Sequence, residues 1–174
     1  EPQLAQVLDL LRADPALKLA VEGHTDATGD AAHNRSLSQA QLSSLIAKLQ
    51  EAYPDVQIIL LDHRNEIRLP LPEKVSINPF KTLHHAMALI AEADLIISPD
   101  TSVVHMAAAW RKPLVAIYKD VRMNNRLWAP GYDNARQIIV KCGKVHQKQN
   151  LASLIMAEID SDLLPLTPEC EQVG

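Results

Sequence analysis

The sequence predicts an α/β fold in which a mostly parallel sheet carries helices on both faces, and three observations lead to this prediction. Short aliphatic runs alternate along the chain with longer segments of helical periodicity. Residues 56–61 (VQIILL) are almost continuously apolar, which is typical of a strand that is covered on both faces. One Phe, three Tyr and two Trp among 174 residues leave an aliphatic core, in a chain long enough for one domain.

The first third of the chain predicts a helix, a strand and a second, longer helix. Residues 2–13 place Leu and Val side chains along one helical stripe, and residues 17–21 form an apolar run that predicts the first strand. Residues 27–35 are polar and predict a loop. Ser36 then supplies an N-cap for a helix that ends near Tyr53.

The next segment predicts two strands and a helix. The apolar run at 56–61 is the second strand, and Asp62 stands at its carboxyl end. Residues 63–70 predict an irregular connection, residues 75–77 a short third strand, and residues 81–93 a helix.

The chain is organised around residues 93–118, which predict a strand, a tight turn, a helix and a strand. Residues 95–97 are apolar and precede the turn. Residues 100–102 (DTS) are good N-cap residues and open an Ala-rich helix. Residues 112–113 (KP) end that helix, and residues 114–118 form the next apolar run.

The last part of the chain carries weaker signals. Residues 119–134 predict an irregular segment, residues 138–141 a short strand and residues 151–159 a helix. Residues 165–174 predict a loose tail.

The turn before the Ala-rich helix is the first candidate site. Backbone N–H groups at a helix start lack partners and the helix dipole is positive there, so phosphate oxygens are favoured. Asp100 is expected as the N-cap and as a sugar contact, and Thr101 and Ser102 as phosphate contacts. His105, one turn into the helix, faces either phosphate or a structural hydrogen-bond partner.

Two acidic residues follow the second strand. An acid at this place in a nucleotide-binding sheet often contacts a ribose, which makes Asp62 and Glu66 candidates. The alternative is that both are solvated loop acids.

Asp100, Thr101 and His105, followed by small residues and then by KPLVAIY at 112–118, resemble the nucleotide-sugar-binding half of lipopolysaccharide heptosyltransferases of glycosyltransferase family nine. Ser102 stands where the family commonly has Gly. The resemblance extends over about residues 34–164.

This resemblance implies a Rossmann-like three-layer sandwich, similar to the C-terminal domain of GT-B enzymes, with strand order 3-2-1-4-5-6. It implies ADP or an ADP-sugar such as ADP-heptose as the ligand, no further cofactor, and a cytoplasmic location. Family members take their catalytic base and acceptor site from an N-terminal domain, so no catalytic residue is assigned and the chain alone is not expected to transfer sugar.

A second resemblance covers about residues 3–40. The stretch 17–26 (LKLAVEGHTD), with Gly29, Asn34 and Leu37-Ser38 after it, resembles an OmpA-like peptidoglycan-binding domain. Asp26 matches the ligand-binding Asp of that family.

Gln41 stands where that motif has an Arg, which argues against peptidoglycan binding because Gln makes no charged, forked contact to a carboxylate. Asp26 would also repel a pyrophosphate bound beside the first strand.

The two resemblances meet near residues 34–41 and predict a chimera within one domain. Its parts are an OmpA-like segment (1–40), a glycosyltransferase-like segment (41–164) and the tail. The absence of an initial Met and the hybrid sequence point to an engineered, de novo protein, with a natural fusion as the alternative. An engineered fold with no selected activity is then an alternative to nucleotide-sugar binding.

Composition excludes several function classes. A formal net charge of −4 gives no support for a nucleic-acid partner, and no run approaches the roughly 18 apolar residues of a membrane span. The two cysteines are too few for a disulfide scaffold, and His24, Asp26, Asp30 and His33 match no metal-binding spacing. Surfaces left exposed by the removal of partner domains predict self-association.

Overall fold

The computed structural model describes four parts of the chain, residues 18–22, 31–79, 82–140 and 150–164, with the side chains of residues 31–38, 122 and 124 left out. In chain order the elements are β1 (Lys18–Glu22), α1 (Ala31–Ala52), β2 (Gln57–Leu61), β3 (Val75–Ile77), α2 (Leu83–Glu92), β4 (Leu95–Pro99), α3 (Ser102–Ala109), β5 (Leu114–Lys119), α4 (Arg122–Leu127), β6 (Ala135–Val140) and α5 (Leu151–Glu158).

The six described strands form one sheet in the order β3-β2-β1-β4-β5-β6, and every neighbouring pair is parallel. Leu19 of β1 pairs with Ile58 of β2 on one side and with Leu95 of β4 on the other. The predicted Rossmann-like order, with the first strand beside the fourth, is therefore confirmed. The predicted mostly parallel sheet is confirmed as well.

Alternating side chains along the central strands divide the core into two layers. Leu19 and Val21 of β1 belong to the cluster that packs against α1 and α5, whereas Ala20 between them belongs to the cluster that packs against α2 and α3. Leu95 and Ile97 of β4 share the first layer, so that helices cover both faces of the sheet. This arrangement is a three-layer sandwich, and it explains why the central residues of β1, β2, β4 and β5 are apolar.

Helix α1 begins earlier than predicted. Its first residue is Ala31, inside the segment predicted as a polar loop, whereas the predicted N-cap was Ser36. The helix starts with two consecutive alanines, and alanine has the highest helix propensity of all residues. This propensity favours extension of the helix toward the N-terminus. Its C-terminal half carries buried residues at helical spacing, Leu42, Leu45, Ile46 and Leu49.

The segment predicted as irregular contains the short helix α4, and β6 begins at Ala135 rather than at residue 138. The sequence RMNNRL of α4 has no apolar stripe, so periodicity alone did not predict it. Contacts from distant residues accompany it: the Gln137 amide donates to the Asn125 carbonyl at 3.4 Å, and the Tyr118 hydroxyl to the Trp128 carbonyl at 2.7 Å.

Several predictions fall outside the described residues: the helix at 2–13, the loop that contains Asp26, and the tail at 165–174. Across the helices that the structure does describe, none combines the length and the apolarity of a bilayer-spanning segment.

Candidate functional site

The carboxyl ends of β1 and β4 lie side by side, where Glu22 ends β1 and Pro99 ends β4. The chain leaves these two strands toward opposite sides of the sheet, since β1 leads to β2 and β4 leads to β5. Open α/β sheets bind their ligands in the crevice outside such a switch point. The site is therefore sought at this edge.

Glu22 joins the two strands through hydroxyl groups. Its Oε2 atom accepts hydrogen bonds from the Ser98 hydroxyl at 2.7 Å and from the Thr101 hydroxyl at 2.5 Å. Ser98 is completely buried, and its hydroxyl also lies 3.2 Å from that of Thr101. Glu22 was not predicted as a site residue; the signal in the sequence is a carboxylate directly after the apolar residues 19–21 of a strand.

Thr101, and not Asp100, is the N-cap of α3. The Thr101 hydroxyl accepts a hydrogen bond from the Val103 N–H at 3.3 Å, and helix α3 begins at Ser102. The prediction of Asp100 as the cap is wrong because its N–H is drawn into the strand edge, where it donates to the Ile117 carbonyl at 3.0 Å.

Asp100 instead acts on the strand beside it. Burial, and then the negative charge of Asp100, raise the pKa of Tyr118 to about 12. Asp100 itself is exposed. The charge of Asp100 therefore acts on β5, the strand to which its N–H also donates.

His105 packs against an aromatic ring. Its imidazole meets the Trp128 indole edge to face, with ring centroids 5.5 Å apart and an interplanar angle of 70°. His105 is exposed, and the contact of its side chain in the structure is with Trp128, in the segment that follows α4.

Asp62 organises the loop after β2. The side chain is buried, and its two carboxylate oxygens accept the N–H groups of Glu66 and Ile67, each at 2.9 Å. The carbonyl of Glu66 accepts the Gln39 amide at 3.3 Å. The prediction of a solvated acid is therefore wrong for Asp62. Its carboxylate is buried because it accepts the hydrogen bonds of two backbone N–H groups that strand or helix pairing does not satisfy.

A cavity of about 250 Å³ opens at this edge between the strand ends and helices α2 and α3. It brings together Glu22, Asp62 and Ser102 from three distant parts of the sequence. The other predicted site residues that the structure describes, Asp100, Thr101, His105 and Glu66, do not line it. The remaining lining residues are Leu61, His63, Asn78, Thr82, Leu83, Ala86, Val103 and Met106.

The described residues that line this cavity offer carboxylate, amide, imidazole and hydroxyl groups beside aliphatic side chains, and none of these described residues is Lys or Arg. Within the described parts of the chain, no group of three or more His, Cys, Asp or Glu side chains is arranged to hold a metal ion.

A comparison with known families decides the relationship of this chain. The sequence model of glycosyltransferase family 9 (heptosyltransferase) matches residues 41–156, which is more than half of the chain. The chain belongs to glycosyltransferase family 9. The resemblance seen in the 100–118 segment is thereby confirmed at the level of the family.

A curated relative supports this membership over a shorter stretch. The putative lipopolysaccharide heptosyltransferase 4 of Escherichia coli (strain K12) is 35% identical over 65 residues, which are 35% of this chain and 18% of that protein. The chain therefore spans only a small part of this family 9 relative.

Solved structures of heptosyltransferases share the fold. E. coli heptosyltransferase WaaC with ADP matches with a TM-score of 0.56 and 18% identity, covering 88% of this chain and 47% of WaaC. E. coli ADP-heptose lps heptosyltransferase II matches with a TM-score of 0.60 and 16% identity, covering 90% of this chain and 50% of that one. This family 9 chain thus spans about half the length of these enzymes.

The OmpA-like part of the chimera hypothesis receives no support. The family 9 match begins at residue 41 and gives no evidence for a second family. The two heptosyltransferase structures match about nine tenths of the chain. Coverage of that extent includes part of the first 40 residues, so the likeness to heptosyltransferases continues past the proposed seam.

Proposed function

We propose that this chain is the nucleotide-sugar-binding half of a heptosyltransferase-like glycosyltransferase, and that it binds an adenine nucleotide of the ADP-heptose type at the cavity between β1, β2 and α3. The observation that carries this proposal is the convergence of Glu22, Asp62 and Ser102 at the switch point of a family 9 chain. A Rossmann-like sheet presents nucleotides at this place.

Three features support an adenine nucleotide. Carboxylate and amide groups of the cavity suit the hydroxyls of a ribose, and its aliphatic wall suits the face of a base. The start of α3 lies at the cavity edge, where a helix attracts a negatively charged group. The structure of the heptosyltransferase WaaC, which shares this fold, is one of the enzyme with ADP.

The substitution Ser102→Asp tests the position of the ligand. Ser102 is the exposed first residue of α3 and lines the cavity. A carboxylate there suits the helix dipole, so the variant is expected to fold, but it repels the phosphates of ADP. Isothermal titration calorimetry should show a loss of ADP affinity of about tenfold or more.

Ser153→Asp is the matched control. Ser153 lies in the first turn of α5, which packs on the opposite face of the sheet. The same charge change there should leave ADP binding as in the unchanged chain. Equal ADP affinity in Ser102→Asp and in Ser153→Asp would show that the phosphates of ADP do not bind at this cavity.

The hypothesis of a peptidoglycan-binding module depends on Asp26, which lies outside the described residues. A pull-down on purified peptidoglycan that is lost in Asp26→Ala would favour it. No contact in the described structure favours it, and we retain the nucleotide-sugar proposal.

A further inference from the structure

A cluster of side-chain hydrogen bonds joins the end of β1 to the start of α3. The Oε2 atom of Glu22 accepts the hydroxyl of Ser98 at 2.7 Å and the hydroxyl of Thr101 at 2.5 Å. These bonds connect residues 76 and 79 positions apart in the chain. Since β1 pairs directly with β4, they add a side-chain link between two neighbouring strands at the point where both end.

Thr101 is held from two sides in this cluster. Its hydroxyl donates to Glu22 and accepts the N–H of Val103, which is the bond that caps α3. A hydroxyl has only one hydrogen to donate, and its direction depends on the acceptor that it finds. Donation to Glu22 therefore favours the orientation in which the Thr101 oxygen presents a lone pair to the first turn of the helix.

The cluster is shielded from water. Ser98 is completely buried, and Glu22 and Thr101 are half-buried. Hydrogen bonds from hydroxyl groups to a carboxylate are charge-assisted and about twice as strong as neutral ones. Both donors lie in the turn between β4 and α3, so the carboxylate holds that turn against β1.

The cluster lies directly beside the cavity. Ser102 follows Thr101 in the chain, is the first residue of α3 and lines the cavity, whereas Thr101 does not line it. The hydroxyl of Thr101 would thus influence a ligand through the position of Ser102 and not by contact. A group that is held in place before the ligand arrives binds more tightly, because less order has to be imposed on binding.

We propose that Glu22 is a positioning residue for nucleotide binding. By holding the Thr101 hydroxyl, it fixes the first turn of α3 and with it the place of Ser102 at the cavity. This inference rests on the proposed function, in which the phosphates of the ligand lie at the start of α3. Glu22 also brings a negative charge to the cavity lining, so its hydrogen bonds have to be tested separately from its charge.

Two uncharged substitutions make this separation. Glu22→Gln and Glu22→Ala both remove the charge, but only Gln keeps an oxygen that accepts from Ser98 and Thr101. Isothermal titration calorimetry should show ADP binding at least about fivefold weaker in Glu22→Ala than in Glu22→Gln, comparable to the effect of losing an N-cap. A smaller difference, or tighter binding by Glu22→Ala, would overturn the inference.

The matched control is the same pair of substitutions at Glu51, an exposed position of α1. Glu51→Gln and Glu51→Ala should bind ADP equally well. Circular dichroism and urea denaturation show that each variant is folded under the conditions of the titration. A merely structural role of Glu22 would lower the free energy of unfolding and leave the ADP affinity of the folded protein unchanged.

Thr101→Val tests whether Glu22 acts through Thr101. Val keeps the shape of Thr but lacks the hydroxyl that bonds to Glu22 and Val103. With this substitution present, Glu22→Gln and Glu22→Ala should bind ADP with affinities within about twofold of each other. A larger difference would show that Glu22 acts by another route and would overturn the assignment.

The failure of this inference differs from the failure of the proposed function. If the unchanged chain binds no ADP, the proposed function fails and this inference with it. If ADP binds to the unchanged chain and Ser102→Asp weakens that binding, while Glu22→Gln and Glu22→Ala bind alike, only the role assigned to Glu22 is overturned.

Discussion

At the scale of single residues, carboxylates at strand ends decide the character of the site. Glu22 engages hydroxyl groups from residues 76 and 79 positions away, whereas Asp62 engages backbone groups only 4 and 5 positions away. The first carboxylate thereby connects two strands and a helix, and the second closes one loop. The same chemical group thus holds distant elements together in one place and orders a local loop in the other.

Asp62→Ala should destabilise the protein by about 1–3 kcal/mol. The substitution leaves the N–H groups of Glu66 and Ile67 without their acceptor, and the contact to Ile67 is buried. Urea denaturation followed by circular dichroism measures the free energy of unfolding.

Asp55→Ala is the control for this prediction. Asp55 forms an ion pair with Lys74 at 2.9 Å, but its side chain is 92% exposed. Exposed pairs contribute about 0.2–1 kcal/mol, so the loss should be smaller than at Asp62. A loss at Asp62 no larger than that at Asp55 would show that the loop does not depend on the buried carboxylate.

At the scale of elements, β5 and the segment after α4 depend on Tyr118. This residue is fully buried within β5, and its hydroxyl reaches the Trp128 carbonyl at 2.7 Å. Trp128 in turn packs on His105 of α3. Tyr118 of β5 is thus linked through Trp128 to helix α3.

Stability should fall as the pH rises from about 10 to about 12. Burial and Asp100 raise the pKa of Tyr118 from 10.0 to about 12, and burial raises that of Tyr132 to about 12 as well. A folded-state pKa above the unfolded one contributes stability that is complete below pH 10 and is lost as the pH passes the raised pKa. Urea denaturation at pH 8 and at pH 11 measures this loss.

Tyr118→Phe should reduce that loss without removing it, since Tyr132 still titrates. The variant also lacks the hydrogen bond to Trp128 and should lose about 0.5–1.5 kcal/mol at neutral pH. Tyr132→Phe should give a comparable reduction in pH dependence. An unchanged pH dependence in Tyr118→Phe would mean that this buried phenol does not contribute.

At the scale of the whole molecule, the described strands form one six-stranded sheet. The chain spans about half the length of the heptosyltransferase structures that it matches. Large apolar side chains remain exposed around α4, among them Met123, Leu127 and Trp128. Self-association through such surfaces stays a prediction that sedimentation velocity would test.

The 174-residue chain alone should bind nucleotide sugar without transferring the sugar. Transfer requires a base and an acceptor site held close to the donor, and this chain spans only about half the length of the heptosyltransferase structures that it matches. Incubation with ADP-heptose and a lipopolysaccharide core acceptor, followed by mass spectrometry, should show no heptosylated product. A product that increases with protein concentration would contradict this prediction.

Much of the fold could be predicted because it depends on local signals and on the handedness of parallel crossovers. The apolar runs of β2, β4 and β5 and the position of β1 beside β4 are examples. The early start of β6 could not, because its polar residues are held by pairing with β5 rather than by an apolar pattern. Helix α4 could not either, because a distant residue, Gln137 of β6, contacts its Asn125 carbonyl.

Most of the elements, their order and the family follow from local signals, since periodicity and the 100–105 motif are properties of short stretches of sequence. Which of the candidate residues meet depends instead on the three-dimensional packing. Glu22 reaches Thr101, Asp62 turns to its own loop, and His105 turns to Trp128. These contacts follow from strand register and packing, which bring together groups that no spacing along the chain relates.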